Sequence, residues 1–152
     1  MPPPKGTPIG LNLARTAKLL SRAFGETLET AGGSLPIWLI LRSLKAQRIG
    51  NQRELAEVVG IRGATLTHHL NAMEAEGLVT RRRDPANRRI HLVELTAEGE
   101  ARFRTLRTAA IAYDQRLRTG LSDEDVAALE ELLGRLRANV TDPSAPAWTS
   151  FG

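Results

Sequence analysis

The chain has 152 residues, of which 41% are hydrophobic and 25% charged, and this is ordinary for one globular domain with its own core. Its 21 lysines and arginines exceed its 17 acidic residues, and the resulting net charge of +4 allows an anionic partner without requiring one. It has no cysteine and no apolar run near the ~20 residues of a membrane span, so we expect no disulfide, no thiol chemistry, no membrane partner and a cytoplasmic location.

The first fifty residues predict a tail and two scaffold helices. Residues 1–8 are mostly proline, glycine and lysine, so we expect a disordered tail. An amphipathic helix is predicted from about Ile9 to Glu29, and a second follows Ser34, which can cap it. Apolar residues almost surround the second helix, which indicates a central, buried position. We assign 9–48 to these helices, whose apolar positions include Leu13, Ala17, Leu20, Phe24, Leu28, Trp38, Leu41 and Leu44.

Two short helices are predicted at the start of the segment 49–96. Asn51 can cap the first helix, Gly60 lets the chain turn into the second, and Gly77 ends the second. The second helix spans roughly residues 63–76. The predicted buried faces are Leu55, Val58 and Val59 in the first helix and Leu66, Leu70 and Met73 in the second.

A basic hairpin follows these helices. Strands are predicted at Leu78–Val79 and Ile90–Val93, and the connection between Arg81 and Arg89 holds five arginines and one aspartate. A helix fits the major groove of DNA, and a basic loop can lie over the neighbouring phosphates. The pattern therefore predicts a winged helix-turn-helix, mainly α with a small β-hairpin wing and about six helices.

The last predicted helices occupy residues 97–141. Thr96 can cap a helix that reaches about Thr119, and Ser122 with Asp125 can cap the final one. That helix has an apolar stripe with two explanations: packing on the chain's own first helix, or packing on a second copy. Residues 142–152 cannot build a core, so we expect a flexible tail, and the role of its Trp148 and Phe151 is left open. The stripe consists of Val126, Leu129, Leu133, Leu136 and Val140.

Short motifs from Glu54 to Gly99 resemble the MarR family of bacterial transcription regulators. The matching pieces are ELA at 54–56, TLT at 65–67, EAEGLV at 74–79, and DPANRR at 84–89 followed by LT at 95–96. The resemblance implies that helices from both termini form a homodimer, which suits the two-fold symmetry of operators. We therefore favour the second copy as the partner of the stripe, with Leu13, Leu129, Leu133 and Leu136 at the dimer interface.

Candidate DNA contacts lie on the second short helix and on the wing. Threonine and asparagine side chains can hydrogen-bond base edges, and arginine can reach phosphate or guanine. The resemblance also implies that Asp84 pairs with Arg88 in a structural role and that Arg89 reaches DNA. The alternative is that these polar residues are capping or solvated side chains. The candidates are Arg62, Thr65, Thr67, His68 and Asn71 on the helix, and Arg82, Arg88 and Arg89 on the wing.

Two of these positions depart from the family pattern. His68 stands where many members have an arginine, and Arg62 stands where they often have a capping serine or threonine. Because a neutral histidine contributes no fixed charge at neutral pH, we expect the wing to carry more of the affinity.

A small aromatic effector is the further partner that the resemblance implies. Leu20, Phe24 and Trp38 are the candidates for lining its pocket, and the alternative is that they are ordinary core residues. In the family such ligands release DNA by changing the separation of the half-sites. A constitutive or architectural DNA-binding protein without an effector therefore remains the alternative to a ligand-responsive repressor of a palindromic operator.

Enzymatic and metal-dependent functions have little support in the sequence. His68 and His69 point about 100° apart on a helix and have no third ligand at suitable spacing. There is no activated-nucleophile motif and no glycine-rich phosphate loop. We therefore expect no catalytic residue, no metal site and no cofactor.

Overall fold

The computed structural model describes residues 5–46 and 50–141, and within these ranges it contains six helices and three short strands. The chain divides at Tyr113–Asp114, inside the fifth helix, into two units. None of the helices in the described ranges is both long and apolar enough to cross a membrane. The elements are α1 (Ile9–Thr30), α2 (Leu35–Ala46), β1 (Gly50–Asn51), α3 (Gln52–Val59), α4 (Gly63–Ala75), β2 (Val79–Arg83), β3 (His91–Leu95), α5 (Ala97–Leu117) and α6 (Asp123–Thr141).

This order confirms the predicted fold: mainly α, with two short helices followed by a basic hairpin. Most of the two predicted tails, at 1–4 and 142–152 and including Trp148 and Phe151, lies outside the described residues.

Side-chain caps begin the helices where the sequence predicted them. The Asn51 side chain accepts a hydrogen bond of 2.8 Å from the Arg53 N–H at the start of α3. At the start of α6, the Asp125 N–H donates to Ser122 Oγ at 3.1 Å, and the Ser122 N–H donates to Asp125 Oδ2 at 2.9 Å. These bonds satisfy backbone donors that a helix leaves without partners in its first turn. The hydrogen bond from the Ser122 backbone N–H, with that from the Ser122 side chain, lowers the pKa of the Asp125 carboxyl below its usual value.

The sheet contains a strand that the sequence analysis missed. Its order is β1-β3-β2, antiparallel throughout, with Gly50 opposite Val93 and Val79 opposite Leu95. The hairpin alone was predicted, because two residues are too few to show the alternation that identifies a strand. The strand β1 comes directly before α3 and pairs with the central strand β3, so the start of the helix-turn-helix is hydrogen-bonded to the wing.

The core of the first unit lies beneath α4. Its three predicted core residues, Leu66, Leu70 and Met73, are fully buried. Burial of each contributes roughly 1.5–3 kcal/mol to folding. They pack in one cluster with apolar residues of α1, α2, α3, the sheet and α5, including Leu28, Trp38, Ile40, Leu41, Leu44, Leu55, Val79, Val93 and Leu106.

The predicted apolar face of α3 was wrong in one position. The side chain of Val58 is 67% exposed, whereas Leu55 and Ala56 are buried and Val59 is partly buried. The buried face is centred between these three residues, and Val58 lies outside it at the helical spacing of 100° per residue.

Gly99, the last residue of the family-like motifs, lies where a side chain would not fit. A Cβ at this position would overlap the backbone carbonyl oxygen of Leu78. Glycine therefore allows the start of α5 to approach the first residues of the wing. The Thr96 hydroxyl caps α5 by accepting from the Gly99 N–H at 3.0 Å, as predicted.

In the second unit, α6 contains no buried residue among those described. Leu129 is 49% exposed, and Leu133 and Leu136 are only partly buried. The stripe thus lies along one regular helix, and its assignment to the dimer interface stays a prediction.

Candidate nucleic-acid interface

One flank of α4 is tied to the preceding helix. The Thr67 hydroxyl donates to the Gly63 carbonyl oxygen at 3.0 Å and accepts from Gln52 Nε2 of α3 at 2.7 Å. A hydroxyl has one proton and two lone pairs, so this pattern leaves Thr67 a single acceptor position. Thr67 was predicted as a DNA contact; in the structure its hydroxyl joins two helices of the helix-turn-helix.

The same flank is tied to the wing by Arg81. Its Nη2 donates to Asn71 Oδ1 at 2.6 Å and to Glu74 Oε1 at 3.1 Å, and its backbone N–H donates to Glu74 Oε2 at 3.1 Å. The hydrogen bond from the Arg81 side chain is the main cause that lowers the pKa of Glu74 below its usual value. One arginine of β2 thus fixes two side chains of α4, which orients the helix relative to the wing.

The outward face of α4 carries the other candidates. Arg62, Thr65 and His68 are exposed, and within residues 5–46 and 50–141 their side chains make no hydrogen bond. Arg62 occupies the N-cap position of α4, where its guanidinium, which has donors and no acceptor, cannot cap the helix. The rings of His68 and His69 meet edge to face, with centroids 5.8 Å apart.

The tip of the wing is ordered by its own backbone. The Asp84 N–H donates to the Ile90 carbonyl oxygen at 2.9 Å, and Asp84 Oδ1 accepts from the Ala86 N–H at 2.8 Å. The Arg89 N–H donates to Asn87 Oδ1 at 3.2 Å. Aspartate and asparagine side chains commonly stabilise tight turns in this way.

The expected ion pair between Asp84 and Arg88 does not form among the described residues. The Asp84 carboxylate instead closes the turn by accepting from the Ala86 N–H through Oδ1. Asp84 therefore keeps a structural position, with a different partner from the one that the family resemblance implied.

The five wing arginines differ in how far the chain itself neutralises them. Arg81 pairs with Glu74, and Arg82 pairs with Glu94 across the hairpin at 3.2 Å. Arg83 donates to the Arg88 carbonyl oxygen at 3.2 Å. In the part of the chain that the structure describes, the guanidinium groups of Arg88 and Arg89 are exposed and have no acidic partner. Arg83, whose only side-chain partner within residues 5–46 and 50–141 is a carbonyl oxygen, also keeps its charge, so the uncompensated charge lies at the tip and at the end of β2 beside it.

A cleft of about 780 Å³ separates the helix-turn-helix from the wing tip. Its polar lining comes from both sides, with Gln52 and Thr67 facing Arg89 and His91. The sequence analysis missed Gln52, Arg53, Asn87 and His91 as residues of this surface. Gln52 and Arg53 follow the predicted cap Asn51, and Asn87 lies in the predicted wing loop, so their places along the sequence could have indicated this surface. Nothing in the sequence indicated His91. The full lining is Asn51, Gln52, Arg53, Ala56, Glu57, Ile61, Gly63, Thr67, Asn87, Arg89, Ile90 and His91.

The proposed effector residues lie in aromatic pairs. The ring of Trp38 stacks on Phe103 with centroids 5.6 Å apart, and Phe24 stacks on Tyr113 at 5.0 Å. The Tyr113 hydroxyl donates to the Leu20 carbonyl oxygen at 2.6 Å. A second cleft, of about 350 Å³, is lined by residues of α2 and α3 and contains none of these side chains.

Two further observations concern the remaining expectations. Leu13 on α1 is 40% exposed, which leaves this predicted interface residue accessible. Within the described ranges, no group of three or more histidine, cysteine or acidic side chains could hold a metal ion.

Comparisons with known proteins agree with this geometry. The sequence profile of the MarR family matches residues 34–91. YdgJ of Bacillus subtilis, described as an uncharacterized HTH-type transcriptional regulator, is 33% identical over 95 residues, which are 62% of this chain. The match spans 58% of the length of YdgJ, less than two thirds of that relative.

Two similar solved structures contain DNA. The transcriptional repressor CouR bound to a 23-mer DNA duplex is 27% identical with a TM-score of 0.77, and the match covers 86% of this chain and 92% of CouR. A mutant MarR from E. coli complexed with operator DNA is 25% identical with a TM-score of 0.75, and the match covers 85% and 93% of the two chains. Together with the profile and the winged helix-turn-helix described above, these likenesses show that residues 34–91 form a domain of the MarR family, a family of transcription regulators.

Proposed function

We propose that this chain is a cytoplasmic, homodimeric regulator that represses transcription by binding a palindromic operator. The observation that carries the proposal is the pairing of two surfaces: the exposed face of α4, with Arg62, Thr65 and His68, and the uncompensated wing tip, with Arg88 and Arg89. An α-helix fits the major groove, and exposed guanidinium groups bind the phosphates or enter the minor groove beside it.

Sequence reading is assigned to α4. His68 and Thr65 can each exchange a hydrogen bond with a base edge, and Arg62 at the start of the helix can reach guanine or phosphate. The ties from Gln52 to Thr67 and from Arg81 to Asn71 hold the helix in one orientation before DNA binds. Such preorganisation favours discrimination between sequences, because little has to be ordered on binding.

Phosphate attraction is assigned to the wing. Arg89 lines the cleft between the wing tip and α3, and its charge has no acidic partner among the described residues. A DNA backbone that followed this cleft would meet Arg89 on one side and Arg53 with Gln52 on the other. Each neutralised phosphate releases counterions, so binding should weaken steeply as salt rises.

A second copy of the chain is assigned to the apolar stripe of α6. Leu129 stays half exposed although it belongs to a regular stripe of leucines and valines. Exposed apolar stripes of this length mark association surfaces, and a two-fold dimer supplies the two readers that a palindrome needs. CouR is described as a transcriptional repressor, which supports repression as the sign of regulation.

The effector part of the proposal rests on the aromatic pairs. Trp38 with Phe103 and Phe24 with Tyr113 lie in the first unit, which also carries the helix-turn-helix. A flat aromatic ligand could replace one ring of such a pair at little cost in contact area. Release of DNA on addition of the ligand would distinguish a ligand-responsive repressor from a constitutive DNA-binding protein.

The test is selection of preferred duplexes from a random pool at fixed salt, followed by titration of the selected duplex with small aromatic acids and phenols. We expect a two-fold symmetric consensus whose half-sites lie about one helical turn apart. Enrichment of general duplex without a consensus would contradict sequence-specific regulation and favour an architectural role. A consensus that no such ligand weakens would remove the effector from the proposal and keep the operator.

A further inference from the structure

Arg81 is the wing arginine whose side chain is held by two side chains of α4. Its side chain is only 19% exposed, although it belongs to a strand whose next two arginines are exposed. One nitrogen, Nη2, lies 2.6 Å from Asn71 Oδ1 and 3.1 Å from Glu74 Oε1. A planar guanidinium can hold both partners at once, and a charged donor makes each bond stronger than a neutral one.

These contacts fix which end of the Asn71 amide faces the cation. The carbonyl oxygen accepts from Arg81, so the NH₂ group points elsewhere. The reverse orientation would place the two amide hydrogens against a positive charge, which is unfavourable. Asn71 is exposed, and it lies one turn beyond the exposed His68 on α4.

We infer that Arg81 sets the base that Asn71 reads, by forcing this side chain to present a hydrogen-bond donor to the major groove. The inference rests on the proposed function, in which α4 enters that groove. Guanine, adenine and thymine each offer an acceptor there, whereas cytosine offers only its N4 amino donor. The operator strand that faces Asn71 should therefore exclude cytosine at one position of each half-site. Arg81 acts as a positioning residue, because it reaches the base only through Asn71.

Arg81→Lys is the direct test, because it keeps the charge but places its only side-chain nitrogen one bond nearer the backbone than Nη2, short of the Asn71 carbonyl oxygen. Selection from the random pool should show that the exclusion of cytosine relaxes by about 3- to 10-fold at one position per half-site, as for loss of one hydrogen bond. The salt dependence of binding should stay as in the wild type, since no phosphate contact changes. The matched control is Arg22→Lys on α1, which makes the same change in an arginine that pairs with Glu26 outside the proposed DNA interface and should leave the consensus unchanged.

Asn71→Asp provides a second test that does not depend on the stability of the Arg81 variant. Its carboxylate can still pair with Arg81 but offers the groove only acceptors. The preference at the same position should therefore shift to cytosine and adenine, the bases with an amino donor in the major groove, and cytosine should no longer be excluded. If neither variant changes that position, or if Arg81→Lys weakens all duplexes equally and lowers the salt slope, the inference is wrong. A wild type that selects no consensus would instead overturn the proposed function, so the two failures are distinguishable.

Discussion

The helices α4 and α6 have the same kind of apolar spacing but differ in the burial of their apolar residues. In α4 the residues Leu66, Leu70 and Met73 are completely buried, and its polar flank is bonded to α3 and to β2. In α6 none of the described residues is buried, although leucines recur at intervals of three and four. Periodicity predicts an apolar face in both helices but does not show whether the same chain or another chain packs against that face.

The difference assigns separate tasks to the two regions. A helix that reads DNA must be held by its own chain, because its exposed face has to meet base edges in one orientation. A helix that joins two copies must keep its apolar face open until the second copy arrives. In the proposed function, α4 is therefore the surface that reads DNA and α6 is the surface that joins two copies.

The largest expected effect on folding is that of Leu70→Ala in α4. Removing a fully buried leucine side chain leaves a cavity, so the free energy of unfolding should fall by about 2–5 kcal/mol, as measured by urea denaturation. The matched control is Leu129→Ala in α6, whose side chain is 49% exposed. Its effect should be smaller and should depend on protein concentration. Equal, concentration-independent losses at both sites would contradict the contrast.

The assembly surface is tested by Leu133→Glu. A charge within the apolar stripe should convert the dimer to a monomer, because an unpaired carboxylate cannot be buried at the interface. Sedimentation or light scattering gives the mass. Ala127→Glu introduces the same charge at an exposed position roughly 100–180° away from the residues of the stripe and should leave the dimer intact. A Leu133→Glu protein that keeps the dimer mass would show that α6 is not the interface.

The wing is tested by Arg89→Ala. Binding to all duplexes should weaken, and the slope of log K against log salt should fall by about one phosphate contact per subunit. Arg22→Ala on α1 makes the same change of charge at a side chain that is 81% exposed and pairs with Glu26. If both variants change the slope equally, the effect belongs to net charge, and the wing has no special position.

The smallest expected effect is the acid dependence of the tie between Glu74 and Arg81. The pKa of Glu74 is lowered below its ordinary value of 4.5, chiefly by the hydrogen bond from the Arg81 side chain. Its contribution to stability is therefore complete above pH 4.5 and is lost as the pH falls through the lower folded-state pKa. Urea midpoints of wild type and Glu74→Gln should differ at about pH 6 and approach each other as the pH falls below the lowered pKa of Glu74. A constant difference would mean that the ion pair contributes nothing.

Local features of the fold were predictable from sequence because their causes lie within a few residues. The caps at Asn51, Ser122 and Thr96 and the buried triad of α4 depend only on spacing along one element. Val58 was assigned to the wrong face because an eight-residue helix contains too few turns to fix its phase.

The interface was less predictable because its contacts join distant positions. Thr67 binds Gln52 fifteen residues earlier, and Arg81 binds Asn71 ten residues earlier in a different element. The side chain that Asp84 would bind was inferred from family resemblance, and the turn offered it the nearer Ala86 N–H. Composition identified five wing arginines as one basic group, whereas the positions of Glu74 and Glu94 decide which of them keep their charge available.

The most direct measurement is hydroxyl-radical footprinting of the wild-type protein on its selected duplex, with the stoichiometry measured in the same solution. Two chains per duplex and two protected half-sites about one helical turn apart, related by a two-fold axis, are the predicted result. One chain on one half-site, or uniform protection along the duplex, would contradict a dimer in which α4 reads and α6 assembles.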